Sequence, residues 1–318
     1  MTEFIRTPED NFTELRDFKF QPYYHKWQDM RLHYLDEGPR DGRVMLLLHG
    51  MPTWSYLYRD FIFPLTQAGY RCIAPDYLGF GRSDKPTDIH WYTIARHTEV
   101  LSTLLVHLDL KNINLVCQDW GGPIGLAQAA MMPNRFERLI IMNTWLHHGG
   151  YKYCENVNKW ITAWKDNGFF AHKKPDVALI PLLDAGLITR KDFYEASVSG
   201  IMPSISDNAR EMYNGYFAPL KGLPDEAYNG YRRFPLSIPI ANYHNGNSAA
   251  QEMHYHMLLG WDKRVDFIWG LEDEIFTESL GREWSKKMKG SFTPVAGAGH
   301  FLQNTHADEI VNHILRGA

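Results

Sequence analysis

Short runs of consecutive apolar residues, separated by longer amphipathic stretches, are the feature that most limits what this chain can fold into. Val44-Met45-Leu46-Leu47-Leu48 is apolar at every position, which suits a strand covered on both faces. Arg71-Cys72-Ile73-Ala74-Pro75, Ile113-Asn114-Leu115-Val116-Cys117, Arg138-Leu139-Ile140-Ile141-Met142-Asn143 and Val265-Asp266-Phe267-Ile268-Trp269-Gly270 follow the same pattern. Segments at about 55–68, 93–108, 121–131 and 278–288 read as helices. Strand–helix alternation predicts a parallel sheet with helices on both faces. The alternation breaks after Met142. From His147 to about Pro235 the chain is rich in Trp, Tyr, Phe, Pro and Asn, with helical stretches and no clear buried strand. An insertion there lies over the carboxyl ends of the strands, where open α/β sheets bind ligands, and its aromatic density predicts a pocket lid. The expected division is a core over 1–146, a helical cap over 147–235 and a second part of the core over 236–318.

Composition narrows the function. Of 318 residues, 44% are hydrophobic and 22% charged, so there is enough apolar surface to offset ordering entropy. The net charge of -4 and the lack of a Lys/Arg run leave no basic footprint for nucleic acid. Three scattered cysteines, Cys72, Cys117 and Cys154, make neither a disulfide framework nor a cysteine zinc site. The 15 histidines include no H-E-x-x-H pair. The amino terminus lacks a basic start followed by an apolar core, and no apolar stretch approaches the roughly 20 residues that cross a bilayer. The expected setting is the reducing cytoplasm, without membrane partners.

Leu115-Val116-Cys117-Gln118-Asp119-Trp120-Gly121-Gly122 carries the chemistry. An apolar strand ends, a helix begins, and an acid sits at the joint. The layout matches a G-x-S-x-G nucleophile elbow with Asp119 in the serine slot; a simple helix N-cap is the plain alternative. His49-Gly50-Met51-Pro52-Thr53-Trp54 directly follows a strand, where this architecture supplies an oxyanion-binding N–H, here from Met51. Ala296-Gly297-Ala298-Gly299-His300-Phe301 follows a candidate strand at 291–295, and His300 comes late enough to be the base. Ile268-Trp269-Gly270-Leu271-Glu272-Asp273-Glu274 ends a strand in an acidic loop. Asp273 is the first choice for triad acid, with Glu272 and Glu274 as alternatives.

These segments together resemble the haloalkane dehalogenases, a family of α/β-hydrolases. The resemblance runs through His49-Gly50-x-Pro52-Thr53-Trp54, Pro75-Asp76-Tyr77-Leu78-Gly79-Phe80-Gly81-Arg82-Ser83, Gln118-Asp119-Trp120-Gly121-Gly122 and Gly299-His300-Phe301. Ile161-Thr162-Ala163-Trp164-Lys165 is similar to the branch whose second halide-holding tryptophan lies in the lid. The resemblance implies an eight-stranded, mostly parallel sheet with helices on both faces and an inserted helical cap. It implies Asp119 as nucleophile, His300 as base and Asp273 as acid. Trp120 and Trp164 would hold halide, and the backbone N–H groups of Met51 and Trp120 would form the oxyanion hole. Pro123, Ile161, Phe234, Pro235, Ile275 and Phe301 would line the pocket. Where the family has Asn, or Glu in the lid-tryptophan branch, this chain has Met51, whose side chain makes no strong hydrogen bond.

The expected reaction is hydrolysis of a carbon–halogen bond through an alkyl ester on Asp119. Its partners would be a small hydrophobic halogenated substrate, halide and water, with no metal or organic cofactor, in a monomer or small homo-oligomer. An epoxide hydrolase remains open, because its lid tyrosines have candidates in Tyr151, Tyr153, Tyr194, Tyr213 and Tyr216. Lactone cleavage or decarboxylation on the same scaffold is another alternative. A non-catalytic small-molecule binding protein is a third.

Overall fold

The computed structural model describes residues 2–165, 168–171, 174–242 and 244–316. A two-residue strand β1 (Phe4–Ile5) pairs with β6 (Lys85–Pro86) away from the main sheet. The main sheet holds β2 (Tyr23–Trp27), β3 (Met30–Glu37), β4 (Arg43–Leu48), β5 (Tyr70–Pro75), β7 (Ile113–Gln118), β8 (Phe136–Met142), β9 (Arg264–Gly270) and β10 (Ser291–Val295). Their spatial order is β10-β9-β8-β7-β4-β5-β3-β2. Seven of these eight strands run in one direction and β3 alone opposes them, antiparallel to both β2 and β5. This is the α/β-hydrolase architecture.

The apolar runs explain why the sheet is buried on both sides. Val44, Leu46 and Leu48 join Leu115, Cys117, Leu139 and Ile141 in one hydrophobic cluster. Met45 and Leu47 join Val116, Ile140 and Met142 in another. Alternate residues point to opposite faces, so each run feeds two cores. Helices α2 (Ile94–His107), α3 (Gly121–Met131) and α9 (Ser248–Leu259) cover the first face. Helices α1 (Arg59–Gln67) and α11 (Ala307–Arg316) cover the second. At the start of α2, Thr93 accepts the Arg96 N–H, satisfying an end group that the helix itself cannot. Pro294 lies in the edge strand β10, where its missing donor costs no ladder bond.

Among the described residues, five α-helices stand between β8 and β9 ahead of α9: α4 (Glu155–Trp164), α5 (Leu179–Asp184), α6 (Arg190–Ser199), α7 (Asp207–Phe217) and α8 (Asn229–Leu236). Helix α10 (Glu278–Lys287) links β9 to β10. Among the described residues, no helix is long and apolar enough to cross a membrane.

Strand register assembles the site. Leu48 pairs with Cys117 and Gln118 with Met142, while Gly270 pairs with Val295. The loops at 49–51, 119, 143, 271–274 and 296–300 therefore leave one edge of the sheet together. The hairpin β2–β3 does not follow the apolar-run pattern. Tyr23, Tyr24 and His25 are half-buried and Lys26 is exposed, so their alternation is that of a partly wet antiparallel edge. Gln28 turns the chain at φ 52°.

Candidate active site

Asp119 sits at φ 49°, in the left-handed region that non-glycine residues seldom occupy. The strain is held from several sides. The Asp119 N–H donates to the Asn143 carbonyl at 3.0 Å, and its own carbonyl accepts the Thr144 hydroxyl at 2.5 Å. Helix α3 then begins from Trp120 without any side-chain cap, so Asp119 is not an N-cap. Its carboxylate Oδ1 instead accepts the Met51 N–H at 2.7 Å. Two glycines make room. A Cβ on Gly50 would lie 2.2 Å from Asp119 Oδ1, and one on Gly121 would lie 2.4 Å from the Leu48 carbonyl oxygen.

The other carboxylate oxygen, Oδ2, lies 3.6 Å from His300 Nε2. On the far side of the ring, His300 Nδ1 is 2.7 Å from Asp273 Oδ2. Asp273 is fully used: Oδ2 also accepts the Asn143 amide at 2.9 Å, and Oδ1 accepts the N–H groups of Ile275 and Phe276 at 2.7 and 2.9 Å. Burial by itself pushes the Asp273 pKa up. The facing imidazole and these donors outweigh it and hold the group below the ordinary aspartate range. Burial likewise pushes His300 down, but Asp273 and Asp119 prevail and carry the imidazole well above its usual value. Glu272 and Glu274 take no part in this contact. Glu274 pairs with Arg190 instead.

A cavity of about 730 Å³ opens over this edge, bounded by Met51, Asp119, Trp120 and His300 from the sheet side. Val157, Trp160, Phe170 and Leu183 bound it from the inserted segment. The Trp120 ring stands edge-on to Trp145 and Phe234, with centroids 4.6 and 5.4 Å away. A carboxylate therefore faces an aromatic chamber with a histidine–aspartate pair at its flank. That arrangement suits attack by the carboxylate itself, since no proton must first be removed from it.

Comparison with known proteins agrees with this geometry. A family model described as the alpha/beta hydrolase fold matches residues 43–307. A haloalkane dehalogenase of Psychrobacter cryohalolentis is 36% identical over 98% of this chain and 97% of its own. The chain belongs to the haloalkane dehalogenase family. A haloalkane dehalogenase of Mycolicibacterium paratuberculosis is also 36% identical over the same shares of the two chains. The solved structure of a tetrameric haloalkane dehalogenase from Paraglaciecola agarilytica superposes with a TM-score of 0.84 at 32% identity, covering 98% of this chain and 97% of that one.

Of the residues that haloalkane dehalogenase resemblance implies, the structure brings Asp119, His300, Asp273, Met51 and Trp120 together. Ile275 and Phe301 line the cavity. Trp164 is buried one layer behind it, stacked on Phe170 with centroids 4.6 Å apart. Its indole N–H has no hydrogen-bond partner among the described residues. Pro123, Ile161, Phe234 and Pro235 are buried but are not among the described residues lining the cavity. Phe234 packs behind Trp120 rather than facing the chamber.

Four contributors were not assigned from sequence. Trp145 lines the cavity, with its indole N–H toward the Tyr153 hydroxyl. Asn143, in turn, bridges Asp273 and the Gly270 carbonyl. Gln118 places its amide nitrogen 2.9 Å from His300 Nε2 and donates to the His300 carbonyl at 3.0 Å. Asp184 reaches the His300 loop from the inserted segment. The signal for Asn143 and Trp145 was their place just past a strand end. Nothing local distinguished Asp184.

Proposed function

We propose that this protein hydrolyses a carbon–halogen bond in halogenated alkanes to give an alcohol, halide and a proton. The observation that carries the reading is the Asp119 carboxylate, held by the Met51 N–H at 2.7 Å and flanked by His300 at 3.6 Å, on the wall of an aromatic cavity that includes Trp120. Asp119 attacks the sp3 carbon, the carbon–halogen bond breaks, and an alkyl ester forms on the enzyme. The Trp120 indole N–H takes the leaving halide, joined by a second indole N–H from Trp164, which the family resemblance implies, or from Trp145, which lines the cavity. His300 then draws a proton from water, which attacks the ester carbonyl carbon while the N–H groups of Met51 and Trp120 hold the oxyanion. Asp273 orients the imidazole and stabilises its charged form. The inserted segment over 147–235 acts as the lid.

An epoxide hydrolase would need tyrosine hydroxyls over the nucleophile. Of the five lid tyrosines considered, Tyr153 lines the cavity. Tyr151 packs edge-on against Tyr153 and is not among the described residues lining the cavity, Tyr213 donates to Asp176, Tyr216 donates to Asn304 and Tyr194 is 60% exposed. This favours halide over epoxide. Halide release from a panel of bromo- and chloroalkanes, read beside diol formation from epoxides, tests the reading. Asp119→Ala is expected to abolish halide release. His300→Gln is expected to leave a stable mass increase on intact protein. Retained turnover in the first variant, or a clean mass in the second after halide has been released, overturns the assignment.

A further inference from the structure

Asp184 closes helix α5 in the inserted segment, yet its carboxylate is committed to the catalytic loop of the core. Oδ1 accepts the backbone N–H of His300 and Oδ2 that of Phe301, each at 2.8 Å. Two parallel bonds from successive amides to one anion fix both position and orientation, and charge-assisted bonds are the stronger kind. The carboxylate also borders the cavity. Its reach explains the glycine before the base. A Cβ on Gly299 would stand 2.5 Å from Asp184 Oδ1 and 2.9 Å from Cγ and Oδ2, so any larger residue there would expel the carboxylate.

We propose that Asp184 is a positioning residue for the general base, clamping the 299–301 loop to the inserted segment so that the His300 ring keeps its aim between Asp273 and the Asp119 ester. The inference rests on the reading that His300 acts only after Asp119 is alkylated. It assigns to the inserted segment a part in the second half of the reaction, beyond covering the cavity.

The electrostatic setting is simple. Burial raises the Asp184 pKa, while the His300 imidazole and the two N–H donors oppose the rise and Asp273 adds to it. Charged groups on the helices packed against α5 are paired, exposed or half-buried, Arg190 among the paired ones although it lines the same cavity. Arg190 pairs with Glu274, Lys191 with Glu195, and Asp192 closes the cap of α6. Asp207 and Arg210 of α7 are exposed and Glu211 is half-buried. The imidazole itself faces Asp119, Asp273 and the Gln118 amide.

The test separates the two chemical steps by rapid quench with a bromoalkane, following halide release and ester on intact protein. Asp184→Ala is expected to slow ester hydrolysis by about 10- to 100-fold, the scale of a misplaced catalytic group. Ester formation should change by less than about threefold, so ester accumulates at steady state. Asp184→Asn keeps one acceptor and should fall between the two. Removing the anion also lowers the imidazole pKa, so the acid limb of hydrolysis moves to lower pH, which a loss of folding would not produce. Gly299→Ala should reproduce the defect in the wild-type background and add nothing to Asp184→Ala. If Asp184→Ala does not fold, Asp184→Asn and Gly299→Ala carry the test. Three results overturn the proposal: unchanged hydrolysis in a variant with wild-type Tm, an equal fall in both steps, or full additivity of Gly299→Ala with Asp184→Ala. Absence of ester in His300→Gln, with halide still released, instead sinks the nucleophile reading and this proposal with it.

Discussion

Replacing Asp273 by Asn changes one atom and one charge, and the structure says how much that should matter. The Asp273 carboxylate accepts four bonds, from His300 Nδ1 and Asn143 on Oδ2 and from Ile275 and Phe276 on Oδ1. An asparagine has one oxygen for these four donors. If that oxygen stays with the Ile275 and Phe276 amides, the new NH2 faces His300 Nδ1, which must then accept. The ring proton moves to Nε2, and the nitrogen nearest Asp119 can no longer take a proton from water. If the amide turns the other way, its NH2 meets two backbone N–H groups. Orphaning one member of a buried pair costs about 3–5 kcal/mol, and the equivalent change in serine-protease triads costs about 10⁴ in rate. At 1.36 kcal/mol per decade the first figure is about 10²- to 5 × 10³-fold, so its upper end comes just short of the second. Ester hydrolysis in Asp273→Asn is therefore expected to slow by about 10³- to 10⁴-fold. Ester formation should slow by less than about tenfold, because Asp119 keeps its Met51 contact. Single-turnover quench with mass detection of the ester measures both. Equal slowing of the two steps, or hydrolysis within threefold of wild type, refutes the argument.

Trp120→Phe removes one indole donor and should slow halide departure by about 10²- to 10³-fold while leaving hydrolysis of a preformed ester unchanged. Trp164→Phe should impair chloride departure more than Trp145→Phe if Trp164 is the second donor; the reverse order assigns that role to Trp145, the residue edge-on to Trp120. Met51→Glu supplies an acceptor for the attacking water and is expected to raise the steady-state rate where hydrolysis limits it; a lower rate in stopped-flow shows methionine suited to this cavity. Asp266 is held below the ordinary carboxylate range: its burial pushes it up, but Arg264, Ser291 and Arg138 outweigh that. Its contribution to stability is present above the unfolded aspartate pKa near 3.9 and is lost as pH falls through the lower folded value. Asp266→Asn should thus cost about 2–4 kcal/mol in urea unfolding near neutrality, with the gap narrowing below about pH 4; a gap that widens in acid contradicts the pairing with Arg138 at 2.6 Å.

The parallel strands were legible because burial on both faces leaves no polar position in Val44–Leu48 to blur the pattern. The β2–β3 hairpin was not, since the half-exposed residues of β2 and the polar residues Arg31, His33, Asp36 and Glu37 within the largely buried β3 leave no continuous apolar run. At the site, Asp119 and His300 could be read from the turn chemistry around them. Asp273 was the first choice in its loop, but nothing local excluded Glu272 and Glu274, because the carboxylate turned inward is set by the 275–276 amides. Asp184 is 116 residues from His300 in sequence, and no periodicity encodes such a contact. The lid tryptophan motif located Trp164 on α4 but could not show that Phe170 would stack on it.

The charges around His300 also order the proposed steps in time. In the resting site the imidazole lies between the carboxylates of Asp119 and Asp273, and their pull outweighs burial to raise its pKa. An imidazole drawn toward its charged form is a poorer acceptor for a proton from water. Alkylation converts Asp119 from an anion to a neutral ester, and one of the two groups that raised the imidazole is gone. Burial then weighs more heavily, the ring gives up its proton more readily, and Nε2 becomes a base when there is an ester to hydrolyse. The Met51 N–H keeps its place throughout. It meets Oδ1 as a carboxylate oxygen first and, in the next step, as the oxyanion that forms there. Asp273 stays ionised because its four donors do not change between steps, so the proton taken from water remains on the imidazole rather than passing to the acid. On the proposed mechanism, neutralising one carboxylate is enough to switch the histidine between its two roles.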